Sequence, residues 1–548
     1  MDHAGTTLYP KSLVKQVSED LTTNLFGNPH SQSPASLLST RRMENVRSQM
    51  LAFFKADPKF YDLVFVSSAT AAIKLVAESL RDYSTYRTGT SFWYGYHAAA
   101  HTSLVGVREL AVPASTCFNS DQEVEQWLET VDRSSRSSSQ FDEKPKVGLF
   151  AYPAQSNMNG RRLPLQWSGR LRKSQRPGHQ DVYSLLDAAA FVATAPLDLS
   201  DHMDGPDFVA LSFYKIFGLP DLGALIVRKD AGHVLCDRLY FGGGTVDMII
   251  NGATEAWHAK KQTSLHEILE DGTPAFHNII ALESAVHVHQ ALFHDMHHVS
   301  THTGNLSKVL YDRMCALRHE NGAALCRIYK DLVGQYGQGD TQGPTIAFNV
   351  QKANGSWIRK TDFENLAILN GIQLRTGGVC NPGGIAWALD LTPAELRENY
   401  AEGLRCGNGI DELNGKPTGI IRVSLGAMSS MKDVDAFVNF LHLFVETSPV
   451  ERENSARVRS EDILVGMPPP TKCSHRQFHV RTKAVEVCEK ELQADAKASP
   501  LVCPIAACKE LSFSEETLLE HFRHHKLDGM NRVKKLRCYP IFRHILSK

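Results

Sequence analysis

DFVALSFYKIFGLPDLGALIVRK, Asp207–Lys229, is the stretch on which the fold turns. Its two apolar runs, Phe208–Leu211 and Ala224–Val227, have the length of buried strands bounded by turn signals. Between them stand Ser212-Phe-Tyr-Lys215 and a Gly/Pro turn. An ammonium set between two buried strands pays desolvation, and its pKa tends to fall. An amine that is to form a Schiff base needs that property.

Working outward, the strand-like runs Leu63–Val66 and Val147–Ala151 alternate with helical periodicity at Ala71–Leu80 and Ala281–Leu292. This alternation predicts one α/β unit over residues 1–450, with a mostly parallel sheet covered by helices on both faces. Arg133–Ser139, RSSRSSS, reads as a surface insertion. From Ser448 the composition turns charged and Pro-marked, which makes 451–500 a linker. A Cys/His segment (501–527) and a basic tail (528–548) follow.

The whole sequence has 548 residues, with 59 Lys+Arg against 60 Asp+Glu. A net charge of -1 gives no global footprint for nucleic acid or an anionic membrane. No apolar run reaches the roughly 18 residues of a membrane span. The start, MDHAGTTLYP, lacks the features of a secretory signal. Eleven scattered Cys residues form no disulfide framework, so a reduced, cytoplasmic protein is expected.

The chemistry-bearing residues recur at the ends of these elements. DVYSLLDAAAF places Asp187 at the end of an apolar stretch, where a carboxylate can hold a pyridine nitrogen protonated and keep pyridoxal phosphate an electron sink. FVSSATAAIKLVAE (Phe65–Glu78) runs strand, small-residue turn, helix, so free N–H groups and the Thr70 hydroxyl form a phosphate seat. His101 is placed to stack on a flat ring, and Asn157 of YPAQSNMNG offers an amide to a ring hydroxyl. Thr245 lies in the Gly-rich FGGGTV and can add a phosphate contact. RTGGVCNPGG (Arg375–Gly384) sets Cys380 in a glycine-rich loop that is expected to be mobile, five residues after an Arg. The alternative for Cys380 is a buried, inert thiol.

In this order, DHAGTTLYP, NPHSQSP, YPAQSN, LSFYKIFG, FGGGTV, EDGTP, RTGGVCNPG and IRVSLGAMSS resemble the class V aminotransferase-like, NifS-type cysteine desulfurases. More narrowly they resemble the N-terminal domain of the molybdenum cofactor sulfurases, across about 430 residues. The resemblance implies the fold of PLP-dependent transferases of fold type I: a large domain at about 45–300 with a seven-stranded-type sheet, and a small α/β domain from about 1–44 and 301–450. It implies that Lys215 carries pyridoxal phosphate, Asp187 pairs with the pyridine nitrogen, and His101 stacks and shuttles a proton. Asn157 would touch the ring hydroxyl. Ala69, Thr70 and Ser212 would cradle the phosphate, with Thr245 reaching in from a second subunit of a homodimer. Tyr214 stands where bacterial desulfurases carry a phosphate-binding His, and Ser68 where the family usually has Gly. Arg375 and Arg422 are two unranked clamps for a substrate carboxylate. The implied reaction takes sulfur from L-cysteine as a persulfide on Cys380, releases alanine, and passes the sulfur to the molybdenum cofactor or an acceptor protein. Another class V activity (selenocysteine lyase or transaminase type) would keep Lys215 and Asp187 but not need Cys380. An idle PLP-fold platform would need neither.

Toward the C-terminus, Cys503-x4-Cys508-x12-His521-x3-His525 has the spacing of a Cys2His2 zinc finger, with Phe513 and Leu518 in the small-core positions. Its helix would present Ser514, Glu515, Glu516, Leu518 and Glu520, an acidic face that argues against DNA binding. The tail VKKLRCYPIFRHILSK faintly resembles the opening strand of the sulfurases' MOSC domain and is too short to build that barrel. Seven His residues between His277 and His302 lack a ligand pattern and read as a surface or dimer-facing helix.

Overall fold

The computed structural model describes residues 1–111, 115–129, 147–174, 181–446, 501–502 and 511–512. Met1–Ser455 forms one compact unit and Ala456–Lys548 another. In the second, Leu501–Val502 pairs antiparallel with Leu511–Ser512. The four zinc-type ligands Cys503, Cys508, His521 and His525 lie outside the described residues, as do the Arg133–Ser139 run and the tail.

Seven strands build the main sheet: β1 (Tyr61–Val66), β2 (Trp93–His97), β3 (Ser115–Phe118), β4 (Gly148–Pro153), β5 (Val182–Asp187), β6 (Phe208–Ser212) and β7 (Gly223–Arg228). Their order is β1-β7-β6-β5-β4-β2-β3. All neighbours run parallel except at β7, which is antiparallel to both β1 and β6. The reason is local. The link from β6 to β7, residues 213–222, is shorter than the dozen or so residues that a parallel crossover needs.

Alternation along the strands splits the core into two layers. Leu63, Phe65, Leu186, Val209 and Ile226 face one side, with the helices Pro34–Phe53 and Phe276–Phe293. Val64, Leu185, Phe208, Ala210 and Leu225 face the other, packed under the helix Ala69–Thr88. That helix opens on Ser68, whose side chain accepts from Ala71 N, and ends at Gly89 in the left-handed region (φ 73°).

A second, four-stranded antiparallel sheet is ordered Cys326–Ile328, Thr345–Val350, Ile420–Ser424, Arg375–Gly377. Ile346, Phe348, Ile421 and Val423 face a helical layer, while Ala347 and Ile420 share a smaller core with Met158, Val379 and Ile385. The N-terminal residues run alongside, with Ser424 N donating to Met1 O and Ala4 N to Ser424 Oγ. Among the described residues no helix is long and apolar enough to cross a membrane.

Candidate active site

Parallel strands bring their C-terminal ends to one edge of a sheet, and open α/β sheets place their ligands there. The segments leaving β1, β2, β4, β5 and β6 meet at this edge. Ser68, Ala69, Thr70, His101, Asn157, Asp187, Ser212, Tyr214 and Lys215 line one cavity. Nine side chains spread over 148 positions of sequence are thus assembled by strand geometry alone.

The phosphate seat is internally bonded. Ala69 N donates to Ser212 Oγ at 2.9 Å, and the Thr70 and Ser103 hydroxyls pair at 2.8 Å. These groups sit at the N-terminus of a 20-residue helix, where the macrodipole favours an anion. Ser68 caps that helix, so serine keeps the turn at this position.

Burial holds the Lys215 ammonium below its ordinary pKa; Asp187 opposes the shift, and Arg422 and Arg375 reinforce it. Asp187 is itself buried and accepts from Ala189 N through Oδ1 at 3.1 Å. His101 is also shifted down, first by burial, so its imidazole is neutral near pH 7. Its Nδ1 accepts from Ser103 N at 3.1 Å, which puts the proton on Nε2. The ring is therefore poised as a donor at Nε2.

Cys380 comes to this edge from the small sheet. Its carbonyl accepts from Thr102 N at 2.9 Å, one residue from His101, and its exposed thiol lies 3.9 Å from an Arg375 nitrogen. The glycine-rich loop is hydrogen-bonded to the large domain on both sides of Cys380. Asn157 Nδ2 donates to Val379 O at 2.7 Å, and Asn381 ties the other side, so the turn is anchored at both ends. Gly383 serves close approach, since a Cβ there would stand 2.2 Å from Ala98 O, whereas Gly377 and Gly378 have open space around them.

Residues 1–437 match the family model for aminotransferase class-V. The chain belongs to the class-V aminotransferase family. It is 52% identical over 490 residues to the molybdenum cofactor sulfurase of Aspergillus niger, covering 88% of this chain and 56% of that protein. With the molybdenum cofactor sulfurase of Neosartorya fischeri it shares 55% identity over 445 residues, covering 81% and 51%. The chain thus spans about half the length of the curated relatives it matches. The cysteine desulfurase of Thermococcus onnurineus NA1 aligns with a TM-score of 0.60 at 17% identity, over 81% of this chain and 94% of that one. The cysteine desulfurase CsdA of Escherichia coli gives 0.57 at 20%, over 81% and 95%. The fold is that of PLP-dependent transferases of fold type I.

The cavity of this class-V member suits pyridoxal phosphate. A lysine with a lowered pKa, a buried carboxylate, a neutral imidazole and a helix N-terminus converge on it, which matches an aldehyde, a ring nitrogen, a ring face and a phosphate. Asn157 lines the cavity, but its amide nitrogen is engaged by Val379 O. Thr245 is buried, donates to Gly242 O in its own loop, and does not line the cavity.

The two arginines separate. Arg422 is 1% exposed, donates to Asn157 O (2.9 Å) and Asp2 Oδ1 (2.7 Å), and keeps a buried Nε without a partner. Arg375 is exposed and stands beside the thiol. Sequence reasoning missed Asp2, Ser103 and Asn381. Asn381 had a signal: Asn followed by Pro is a strong helix-start pattern.

Proposed function

We propose that the chain is a pyridoxal-phosphate-dependent L-cysteine desulfurase, which moves substrate sulfur onto Cys380, releases alanine, and supplies the sulfur to the molybdenum cofactor or an acceptor protein. The observation that carries this reading is the tie between Cys380 and the backbone beside His101, which faces the same cavity as Lys215. A transaminase would have no need of a thiol there. The half-length match to molybdenum cofactor sulfurases supports the acceptor.

When bound, pyridoxal phosphate supplies an electron sink that loosens bonds at the amino acid's carbons. Lys215, whose charged form burial disfavours, would hold the cofactor's aldehyde carbon and then take the substrate's α-proton. Asp187 would keep a proton on the ring nitrogen. Arg422 would orient the substrate carboxylate through its unpaired Nε. The Cys380 sulfur, 3.9 Å from an Arg375 nitrogen, would be the nucleophile. In the transfer the substrate's carbon–sulfur bond breaks and a sulfur–sulfur bond forms on Cys380. Lys215 would return the α-proton; the electron pair leaves with the three-carbon fragment, which takes a proton at the carbon that lost sulfur and departs as alanine. His101, with its proton on Nε2, would supply it. No outside oxidant is required.

The test is alanine release from L-cysteine together with transfer of sulfur to desulfo-molybdenum cofactor. Alanine without transfer would leave a desulfurase with another acceptor; release from selenocysteine alone would remove the reading. A homodimer is supported by the hairpin Val246–Lys260 after Thr245, which exposes Met248, Ile249 and Trp257. Sedimentation at micromolar concentration checks it. Zinc at Cys503, Cys508, His521 and His525 rests on spacing alone; metal content of the wild type against Cys503→Ser decides it. A cytoplasmic location rests on the cysteine usage.

A further inference from the structure

The turn that carries Cys380 is unusual in its backbone. Val379 (φ 43°) and Cys380 (φ 56°) are consecutive non-glycine residues in the left-handed region, one of them β-branched. Such a pair persists only when its surroundings over-determine it. The residue next in sequence supplies that determination.

Asn381 is fully buried and uses its whole side chain. Nδ2 donates to Ala99 O at 3.0 Å and to Asn157 Oδ1 at 2.9 Å. Oδ1 accepts from Gly384 N at 2.9 Å, capping the helix Pro382–Ala388. Asn381 N closes the turn onto Gly378 O at 3.0 Å. One amide thus joins the small-domain turn to the segment Ala99–Thr102, which carries His101, and to Asn157 after β4. The neighbouring bonds, Thr102 N to Cys380 O and Asn157 Nδ2 to Val379 O, run between the same segments. Both carbonyls of the strained pair are therefore pinned. Val379 adds an apolar anchor, being buried with Met158 and Ile385.

We propose that Asn381 is the positioning residue of the reaction: it holds Val379 and Cys380 in the left-handed turn and so fixes the Cys380 backbone against the segment that carries His101 and the thiol beside Arg375. The thiol is presented from a fixed turn, and the acceptor must come to it. This rests on the desulfurase reading of Cys380.

The test compares wild type, Asn381→Ala and Asn381→Asp as purified holoenzymes. Asp keeps the acceptor for Gly384 N but cannot donate to Ala99 O or Asn157, so it isolates the clamp from the helix cap. In both variants kcat for alanine release is expected to fall at least about tenfold, the scale of a misplaced reacting group, with KM for L-cysteine and cofactor absorbance unchanged. Amide hydrogen exchange should rise in peptides covering 99–105 and 378–386 and stay at wild-type level in β4 and β5. Wild-type kcat in both variants, or unchanged exchange in those peptides, would overturn the proposal. So would exchange that rises over the whole domain in Asn381→Asp, since that marks a structural role. If the wild type releases no alanine, the desulfurase reading fails, and the exchange data still decide whether Asn381 holds the turn.

Discussion

Lys215 and Arg422 are cations withdrawn from water at one site, and burial lowers both their pKa values. What distinguishes them is their partners. Arg422 is held between Asp2 and Asn157 O, whereas Lys215 faces the cavity. Lys215→Ala should leave a folded, colourless protein that borohydride cannot fix to the cofactor; retained colour with a trapped adduct would place the cofactor elsewhere. Arg422→Lys keeps the charge but loses the fork, so KM for L-cysteine should rise roughly tenfold, the value of a charge-assisted bond of about 1.5 kcal/mol. Arg375→Ala should instead lower kcat and leave KM within about twofold, because it serves the nucleophile. Identical effects of the two changes would contradict this division. Sequence could not rank them, since both are arginines on strands of one small sheet; burial and the Asp2 partner come only with the fold.

The Cys380 turn shows how an element can be legible in place while its contacts are not. RTGGVCNPGG was legible as a thiol on a Gly-rich turn. Its anchoring was not, because the partners Thr102 and Asn157 are more than 200 positions away. Glycine there permits contact with Ala98 O, and this gives a direct check. Gly383→Ala should push the start of the helix Pro382–Ala388 from the large domain and lower alanine release about tenfold or more, with cofactor colour retained. Turnover at the wild-type level would show that the turn tolerates displacement. The strands, by contrast, were legible nearly to their ends. Phe208–Leu211 differs from β6 by one residue at one end and Ala224–Val227 from β7 by one residue at each end, because apolar runs between turn signals are set locally. The antiparallel direction of β7 follows from the shortness of its link, a topological matter that periodicity does not carry.

At the scale of the molecule, two buried histidines set the acid side of stability. His3 and His289 are each held neutral, with values lowered to about 4 by burial. His289 packs against Phe53, Phe217 and Phe293, and its Nδ1 has no partner. The unfolded chain binds protons at these groups near 6.5, so acid favours unfolding. Stability is complete above that pH and falls as pH drops from about 6.5 to about 4, by at most about 1.4 kcal/mol per pH unit for each group. Urea midpoints measured at pH 7 and pH 5 should show the fall, and His289→Leu should shrink it; an unchanged slope would mean that His289 is solvated. The same scale decides the chemistry, because strand ends from both sheets must meet for Lys215 and Cys380 to share a substrate. The most direct test loads holoenzyme with L-cysteine and follows alanine together with the mass of the Cys380 peptide. Wild type should release alanine while one sulfur atom is added to Cys380, and Cys380→Ala should stay yellow and release none. Undiminished alanine release by Cys380→Ala would contradict the persulfide route at its centre.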